Sequence, residues 1–597
     1  MGARTRLVRW ANRFALANTV LLVIIGLRYL LHYSPLSPWP GWIYAVLAFL
    51  GHLSLLAYLP LLLLLPVMLL LPWPRLVLSV AIFLASVLVG FLVLDSMVFA
   101  ENRYHLGVLT LSMLAPQTWA FLAMYLVLGL AVESMVALWI WKGTASVPRR
   151  RLGWYAPLGL AGCLLASNAI HVWAEAHYYA PVTAFARYLP LYFPFRDPGL
   201  LVRLGLVDRS QARELGVTAA LGWPTDRALN YPLASLRCAA RPPLLNVLFV
   251  VIDAMRADAL TTAVAPKLAE FAEDAILFDA HYSGGNSSRA GMFSLFYGLP
   301  ATYTDAFSSL TRPPVVMDLF QQHEYQLGVF ASAPVYRAAA LDRTALARVP
   351  NLRLRTISPY TGSSGWDRTA TEEWLGWLER RNPSRPFFGF LYYDAAVSMK
   401  PPDNYPSVVA VPSGASTEAR RFARYLTAVH YVDSLFGRVL EDLRRRQLLD
   451  RTVVIVTSDH GMEFDENGLG FTGHGTAFSE LQMHTPLVVR WPGRRPERIT
   501  HRTSHNDLAP TLVTELFGCA NPPSDYSSGR GLFSGVPWEW LIAGSYEDYA
   551  LIEPDRVTVV FPAGYEIRDR QYRLVPHPVL PRDLVLAAMH EMRRFYR

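Results

Sequence analysis

The sequence predicts an α-helical membrane domain of five spans, followed by an α/β domain with a mostly parallel central sheet. The chain has 597 residues, 52% of them hydrophobic, and its mean hydropathy of +0.22 is high for a soluble protein. Nearly all of this excess lies in roughly the first 175 residues, and the remaining ~420 have an ordinary globular composition. In that second part, apolar strand-like runs alternate with helical patterns, which is typical of a parallel sheet.

Five apolar segments are long enough to cross about 30 Å of hydrocarbon. They cover residues 14–33, 43–71, 76–99, 118–142 and 154–174. Basic residues precede the first segment and follow the second and fourth: Arg4, Arg6, Arg9, Arg13, Arg75, Lys142, Arg149, Arg150 and Arg151. The positive-inside rule therefore predicts a cytoplasmic N-terminus. Five crossings then place the rest of the chain, after about residue 175, on the far side of the membrane, which in a Gram-negative cell is the periplasm.

Five ionisable residues fall within these segments: Arg28, His52, Asp95, Glu133 and His171. Such residues are either functional or satisfied by hydrogen bonds between helices, with snorkelling near the span ends. We favour hydrogen bonding, because nothing in the sequence indicates a proton or ion path.

Residues 176–240 are predicted to form an interfacial segment and linker after a transmembrane domain of residues 1–175. Aromatic residues and arginines cluster there, as is typical of a membrane surface. The segment either anchors the domain that follows or holds a lipid headgroup, for which the candidates are Arg187, Tyr192, Arg196 and Arg203. The net charge of the chain is +8, but the sequence contains no long basic run with interleaved aromatic residues. Nucleic acid is therefore not an expected partner.

The α/β domain is predicted over residues 241–535, with residues 536–597 as its C-terminal part. Buried strands are expected at 245–252, 386–393 and 453–457, and each is followed by a carboxylate: Asp253, Asp394 and Asp459. The carboxyl ends of parallel strands meet at one edge of a sheet, where α/β proteins bind ligands. Asp253 and the pair Asp459-His460 offer oxygen and nitrogen ligands to a divalent metal.

A glycine turn at 284–285 leads into Asn286, Ser287, Ser288 and Arg289 and then into a helix. A helix N-terminus there favours an anion. A divalent metal (Mg, Mn, Ca or Zn) would lower the pKa of a bound serine hydroxyl, which suits hydrolysis or transfer at phosphorus or sulfur.

These motifs resemble the alkaline phosphatase/sulfatase superfamily. The resemblance rests on residues 246–258, the Gly-Asn-Ser-Ser-Arg turn at 285–289, Ser-Asp-His-Gly at 458–461, Gly-His-Gly at 473–475, and His505 to Leu512. It implies an alkaline-phosphatase-like fold and one divalent metal held by Asp253, Ser287, Asp459 and His460. It also implies that Ser287 is the nucleophile, that Arg289 holds an ester oxygen and that His474 contacts the substrate.

The whole architecture, including residues 173–183 and 286–298, resembles the YejM/PbgA family of inner-membrane proteins. That resemblance implies a role in lipopolysaccharide and outer-membrane lipid homeostasis. The implied partners are lipid A or lipopolysaccharide, cardiolipin, and a membrane-bound regulator of lipopolysaccharide synthesis.

Several departures from the superfamily leave the activity open between a metal-dependent esterase or transferase and a non-catalytic lipid sensor. Gly285 stands where sulfatases carry the modified cysteine, so formylglycine chemistry is not expected. Ala254 replaces the second aspartate of a sulfatase pair, and no histidine occurs in 395–400. Ser288 remains the alternative nucleophile.

Other polar residues of this part are given structural roles. His430 and Asp433 are expected to be structural, His484 either orients a ligand or packs in the core, and Glu463, Asp465 and Glu466 are expected to form a solvated loop. A bridge between Cys238 and Cys519 is compatible with the sequence.

Overall fold

The structure is a computed structural model that describes residues 3–33, 39–70, 73–102, 105–107, 111, 116–144, 155–195, 200–208, 211–213, 215, 229–239, 245–337, 339–546, 548–561 and 564–597. It contains two compact units, Met1–Asn230 with Tyr596–Arg597, and Tyr231–Phe595.

Five helices of the first unit are long and apolar enough to cross a membrane, which confirms the five predicted spans. They are α1 (Ala3–Leu30), α2 (Pro40–Leu70), α3 (Pro74–Asn102), α4 (Pro116–Gly143) and α5 (Tyr155–Ala176), and two single turns follow, α6 (Ala180–Thr183) and α7 (Leu200–Arg203). α1 begins well before the apolar segment, because its arginine-bearing N-terminal turns continue the same helix.

Polar residues within the spans bond to neighbouring segments. Asp95 accepts hydrogen bonds from the Tyr29 hydroxyl (2.6 Å) and the Leu106 N–H (2.6 Å). Glu133 accepts one from the Asn18 amide (3.1 Å), and His52 Nε2 lies 2.8 Å from the Pro190 carbonyl. In an apolar medium such bonds satisfy groups that would otherwise be costly to bury.

The strands of the second unit are β1 (Asn246–Ile252), β2 (Ile276–Phe278), β3 (His281–Tyr282), β4 (Gln326–Ala331), β5 (Phe387–Tyr393), β6 (Thr452–Thr457), β7 (Glu463–Phe464), β8 (Thr472–Gly473), β9 (Leu487–Arg490), β10 (Glu497–Ile499), β11 (Thr503–Ser504), β12 (Leu541–Gly544), β13 (Tyr549–Ile552), β14 (Arg556–Phe561) and β15 (Gly564–Asp569). Seven of them form one large sheet in the order β10-β2-β9-β6-β1-β5-β4.

Strands β6, β1, β5 and β4 are parallel neighbours, while β9 runs antiparallel to β6 and β2. The sheet is therefore mostly parallel, as predicted. Strands β12 to β15 form a separate antiparallel sheet, and β3 with β11 and β7 with β8 form two short pairs.

The second unit also contains α-helices. They are α8 (Pro266–Glu273), α9 (Ser288–Tyr297), α10 (Thr304–Ser309), α11 (Val315–Gln322), α12 (Gly362–Arg380), α13 (Ala395–Ser398), α14 (Thr417–Arg445), α15 (Glu480–Met483), α16 (Leu508–Thr511) and α17 (Arg582–Arg593). Every residue of β1, β5 and β6 is buried, which is the burial expected of parallel strands covered on both faces. Cys238 and Cys519 form a disulfide.

Candidate metal centre

Three neighbouring parallel strands end at the same edge of the large sheet and bring their polar residues together. β1 lies between β6 and β5, with Val251 level with Thr457 on one side and with Tyr392 on the other. Asp253 follows β1, and Asp459 follows β6 by two residues. The shared strand direction therefore gathers at one edge residues that lie some two hundred positions apart in the chain.

Asp253, Asp459 and His460 form the only group of three potential metal ligands of this kind among the described residues, with ligand atoms within 4.8 Å of one another. His460 Nε2 lies 3.4 Å from Asp253 Oδ1 and 3.6 Å from Asp459 Oδ2. His460 Nδ1 lies 2.8 Å from the Gly461 carbonyl. Because that carbonyl accepts the Nδ1 proton, Nε2 is left with its lone pair directed at the carboxylates, as in metal-binding histidines.

The two carboxylates are buried with little positive charge to balance them. Burial, then Asp459 and then Asp394 raise the pKa of Asp253 well above its usual value. Asp253 Oδ1 is buried without a hydrogen bond from any described residue, although most buried polar atoms have one. A divalent cation would supply the missing partner and the missing charge, so these donors fit a metal.

The glycine turn at 284–285 is followed by two serines, Ser287 and Ser288, that lie beside the cluster of Asp253, Asp459 and His460. Ser287 is the N-cap residue of α9, but its hydroxyl makes no capping bond and is buried without a hydrogen-bond partner in the described part of the chain. Ser288 Oγ lies 3.1 Å from His460 Nε2. The structure therefore brings Ser288 into contact with the cluster and leaves the Ser287 hydroxyl uncommitted one residue away.

Gly291 sets how closely α9 approaches the cluster. A Cβ on Gly291 would collide with the carbonyl oxygen of Asp459. The Ser283 hydroxyl donates to the same carbonyl at 2.5 Å. The first turn of α9 and the end of β6 thus meet backbone to backbone, and any other residue at 291 would separate them.

His474 stacks on His460, with ring centroids 4.5 Å apart. Burial and then the His460 ring lower the pKa of His474 to about 4, so its ring is neutral near pH 7. Its Nδ1 is buried and has no partner among the described residues. A neutral ring beside the cluster can hydrogen-bond a substrate without adding charge.

Arg289 is placed differently. Its guanidinium forms an ion pair with Asp305 at 2.6 Å, and no hydrogen bond to Asp253, Asp459 or His460 involves it. The superfamily resemblance implies that Arg289 holds an ester oxygen. To do so, its guanidinium would have to break the ion pair with Asp305, or bind Asp305 and the ester oxygen at the same time.

Tyr392 is a residue of this site that the sequence did not indicate. Its hydroxyl donates to Asp253 Oδ2 and lies 3.2 Å from Asp459 Oδ2. Tyr393 faces the other way and bonds to Thr371. The sequence could have indicated Tyr392 through the alternation of side chains along a strand. Residues two positions apart lie on the same side, so Tyr392 lies on the same side of β5 as Asp394.

The expected solvated acidic loop is wrong for Glu463. That side chain is buried and accepts hydrogen bonds from Ser479 (2.7 Å) and Gln482 (3.1 Å). Glu466 is exposed and pairs with Arg256. The acidic composition suggested solvent exposure, but two neutral donors from the α15 segment satisfy Glu463 inside the domain.

The other polar residues considered from the sequence have structural contacts. Asp433 accepts hydrogen bonds from the Lys267 and Leu268 N–H groups at the start of α8. His484 Nε2 lies 2.8 Å from the Asp279 carbonyl. His430 Nδ1 lies 3.4 Å from the Tyr405 hydroxyl.

The candidate lipid-binding residues belong to the first unit. Tyr192 is buried, and its hydroxyl lies 3.0 Å from that of Tyr44. Arg187 is half-buried and donates to the Tyr188 hydroxyl at 3.2 Å. Arg203 is exposed at the end of α7, and Arg196 lies outside the described residues.

Two families match the chain, one on each side of residue 240. The family described as Sulfatase matches residues 245–518, and a domain of unknown function, DUF3413, matches residues 2–238. Together with the sheet and its edge site, this defines a membrane protein with a sulfatase-family domain.

Curated relatives extend over the full length. The inner membrane protein YejM of Salmonella typhimurium is 28% identical over 99% of this chain and 97% of its own. An uncharacterized protein of Haemophilus influenzae is 26% identical over 92% of this chain and 89% of its own. The chain is therefore a YejM-like inner-membrane protein, which confirms the full-length resemblance predicted from its motifs.

Among solved structures, a phosphonate monoester hydrolase from Silicibacter pomeroyi is 19% identical, covers 59% of this chain and 95% of its own, and has a TM-score of 0.44. That likeness is too distant to bear on function.

Proposed function

We propose that the sulfatase-family domain binds one divalent cation through Asp253, Asp459, His460 and Ser287, and that it hydrolyses or transfers phosphoric esters of lipid headgroups. The observation that carries this proposal is the buried cluster itself. Two carboxylates and an imidazole converge within 4.8 Å, and Asp253 Oδ1 and the Ser287 hydroxyl are buried there without hydrogen-bond partners among the described residues. Three oxygen donors and one nitrogen donor accept Mg, Mn, Ca or Zn, and the proposal covers any of these four cations.

In this proposal each residue has a defined role. The cation, when bound, lowers the pKa of a serine hydroxyl and neutralises charged ester oxygens. Ser287, at the N-terminus of α9, supplies the oxygen that attacks phosphorus, and the free N–H groups of that turn favour the ester's negative charge. The bond from phosphorus to the leaving alcohol then breaks, and that alcohol takes the proton lost by Ser287. Water, in hydrolysis, or an acceptor alcohol, in transfer, then takes the phosphoryl group from Ser287, and His474 is placed to hydrogen-bond the substrate. Tyr392 orients Asp253 by donating to its second oxygen.

We place this domain in the periplasm and its five helices in the inner membrane. The basic residues before the first span and after the second and fourth support a cytoplasmic N-terminus, and a disulfide between Cys238 and Cys519 suits an oxidising compartment. The family resemblance supports a role in lipopolysaccharide and outer-membrane lipid homeostasis. The partners proposed on that basis are lipid A or lipopolysaccharide, cardiolipin, and a membrane-bound regulator of lipopolysaccharide synthesis.

A non-catalytic lipid sensor is the second candidate function. It is favoured by the run 395–400, which lacks the histidine that relatives of the superfamily often carry there. In this alternative the domain keeps its metal centre as part of the scaffold, and lipid binding near the membrane surface is the primary event.

Metal analysis of the purified full-length protein tests the proposed centre. We expect about one equivalent of divalent metal in the wild type and less than about a tenth of that in Asp459→Asn, because the substitution removes one anionic ligand. Asp403→Asn, a change in an exposed turn outside the cluster, is the control and should retain the metal. Equal metal content in the wild type and Asp459→Asn would contradict the site.

Rescue of cells that lack the native protein separates the two functions. Ser287→Ala at normal expression should fail to rescue if phosphoryl transfer is required, whereas a sensor would tolerate it. A truncation after about residue 190 keeps only the spans and the start of the interface. Full rescue by that form would exclude catalysis as the required role.

A further inference from the structure

A cleft of about 430 Å³ lies in the second unit, and four arginines contribute to its wall: Arg444, Arg490, Arg494 and Arg495. We call it the arginine cleft. β9 runs antiparallel to β6, with Arg490 level with Val454 near the start of β6. Asp459 follows the other end of β6, five residues further along, or about 17 Å at the rise of an extended strand. The arginine cleft therefore lies at the sheet edge opposite to the metal centre and is separate from it.

Two of these arginines are uncommitted. Arg444, in the last turn of α14, and Arg495 are exposed. Neither guanidinium has a hydrogen bond or an ion pair with any described residue. Exposed arginines are common, but here both line a concavity whose size matches that of small-ligand sites.

The other two arginines are fixed by neighbours. Arg490 donates to Asp450 and to the Leu449 carbonyl, both at 2.7 Å. Arg494 pairs with Glu515 at 2.7 Å and lies 3.7 Å above the centre of the Phe533 ring. These contacts hold the wall of the cleft in place and lower the entropy that a ligand would have to remove.

A tight turn presents the arginine pair 494–495. The run Trp491-Pro492-Gly493-Arg494 has the sequence of a type II turn, with proline second and glycine third. Gly493 has a φ of +85°, and the Arg494 N–H donates to the Trp491 carbonyl at 3.0 Å. Trp491 is buried and packs edge-on against Phe533 at 5.9 Å. The turn is therefore anchored in the domain and not a loose surface loop.

We propose that the arginine cleft binds a phosphate group of a small organic anion, with Arg444 and Arg495 as the principal contacts. Guanidinium groups match phosphate oxygens with paired N–H donors, and arginine is the preferred residue for such recognition. Asp450 is already neutralised by Arg490, so the only carboxylate left on the wall is Asp274. The same chemistry serves a free phosphorylated solute and the phosphorylated headgroup of a lipid.

Arginine footprinting tests this site residue by residue. The full-length protein is held in phosphatidylcholine nanodiscs and treated with phenylglyoxal, and the modification rate of each arginine is read by peptide mass spectrometry. Inorganic phosphate at about nine times its Kd should slow modification of Arg444 and Arg495 about tenfold. Arg420 lies on α14 about 36 Å from Arg444 along the helix axis, is also exposed, and should react at an unchanged rate.

Repeating the footprinting with two other phosphate compounds distinguishes a free phosphorylated solute from a lipid headgroup. Protection by glycerol 3-phosphate in solution supports a free phosphorylated solute. Protection only when phosphatidylglycerol replaces part of the phosphatidylcholine supports a lipid headgroup. Absence of protection under every condition, or equal protection of Arg420, would overturn the proposal.

A pair of double variants gives a second measurement that does not depend on chemical modification. Phosphate binding is measured by calorimetry on Arg444→Ala/Arg495→Ala and on the charge-matched control Arg420→Ala/Arg424→Ala. The first should lose one phosphate-binding event and the control should keep it. If both variants bind phosphate as the wild type does, the arginine cleft is not a phosphate site.

Discussion

At the scale of single residues, the two serines of the glycine turn differ in what they touch. The Ser288 hydroxyl contacts His460 Nε2 at 3.1 Å, the atom that a metal would need, whereas the Ser287 hydroxyl is buried and uncommitted among the described residues. We predict that Ser287→Ala weakens Mn²⁺ binding about tenfold or more, as expected for a lost metal contact. Ser288→Ala should leave the Kd within about twofold, because it removes only a competing neighbour. Titration calorimetry with Mn²⁺ measures both.

A larger loss of Mn²⁺ affinity in Ser288→Ala than in Ser287→Ala would assign the metal contact to Ser288. Gly376→Ala, a change in α12 whose new methyl group would meet only the Arg380 side chain, serves as the control and should leave Mn²⁺ affinity unchanged.

The site was only partly predictable from residue types. Asp253, Asp459 and His460 were predictable because a carboxylate within two residues of the end of a buried apolar strand indicates the ligand-binding edge of an α/β sheet. Tyr392 was not, because an aromatic residue in an apolar strand has the same pattern whether it packs in the core or donates to a carboxylate. The pairing of Arg289 with Asp305 depends on where α10 lies, which no local pattern specifies.

At the scale of elements, the contact between α9 and the end of β6 depends on a glycine. Gly291→Ala would push a methyl group into the Asp459 carbonyl, and neither backbone can yield easily. We expect a loss of stability of about 1–3 kcal/mol from overpacking, together with weaker metal binding because Asp459 moves. Gly376→Ala in α12 is the matched helical change and should be neutral or stabilising by up to about 1 kcal/mol. Thermal unfolding of the purified protein compares the two, and equal Tm shifts would contradict the close-approach argument.

Asp433 on α14 links two helices by capping α8, with 2.9 Å and 2.8 Å bonds to the Lys267 and Leu268 N–H groups. Burial is the main cause that raises its pKa from 3.8 to about 6. Between pH 4 and 6 the folded protein therefore holds a proton that the unfolded chain has lost, so the contribution of this group to stability falls as pH rises through that window. It is constant above about pH 7, where both states are ionised.

Asp433→Asn should abolish that pH-dependent difference. We expect the stability of the wild type relative to Asp433→Asn to fall between pH 4 and 6, as measured by urea unfolding at several pH values. Asp403→Asn, at an exposed position, is the control and should show no such change relative to the wild type. A relative stability that rises over this interval would show that the folded pKa is lowered and not raised.

At the scale of the whole molecule, the order of hydrophobic segments was enough to predict five spans and a mostly parallel sheet. The spans follow from length and polarity alone, and the parallel strands from their burial on both faces. The antiparallel position of β9 and the separate sheet β12 to β15 were not predicted. Their strands are short, and their pairing is decided by contacts between distant segments, which local patterns do not encode.

We predict that the N-terminus of the chain lies in the cytoplasm and that the second unit lies in the periplasm. Single-cysteine variants are made in a Cys163→Ser background, where Cys238 and Cys519 are joined to each other. Arg420→Cys places a thiol at an exposed position of the second unit, and a membrane-impermeant maleimide should label it in cells whose outer membrane alone is permeabilised. Ala3→Cys, at the start of α1, should react only after the inner membrane is also opened, because the positive-inside rule predicts a cytoplasmic position for this arginine-rich end. Labelling of Ala3→Cys first would reverse the orientation, place the metal centre in the cytoplasm and remove the basis for a periplasmic lipid substrate.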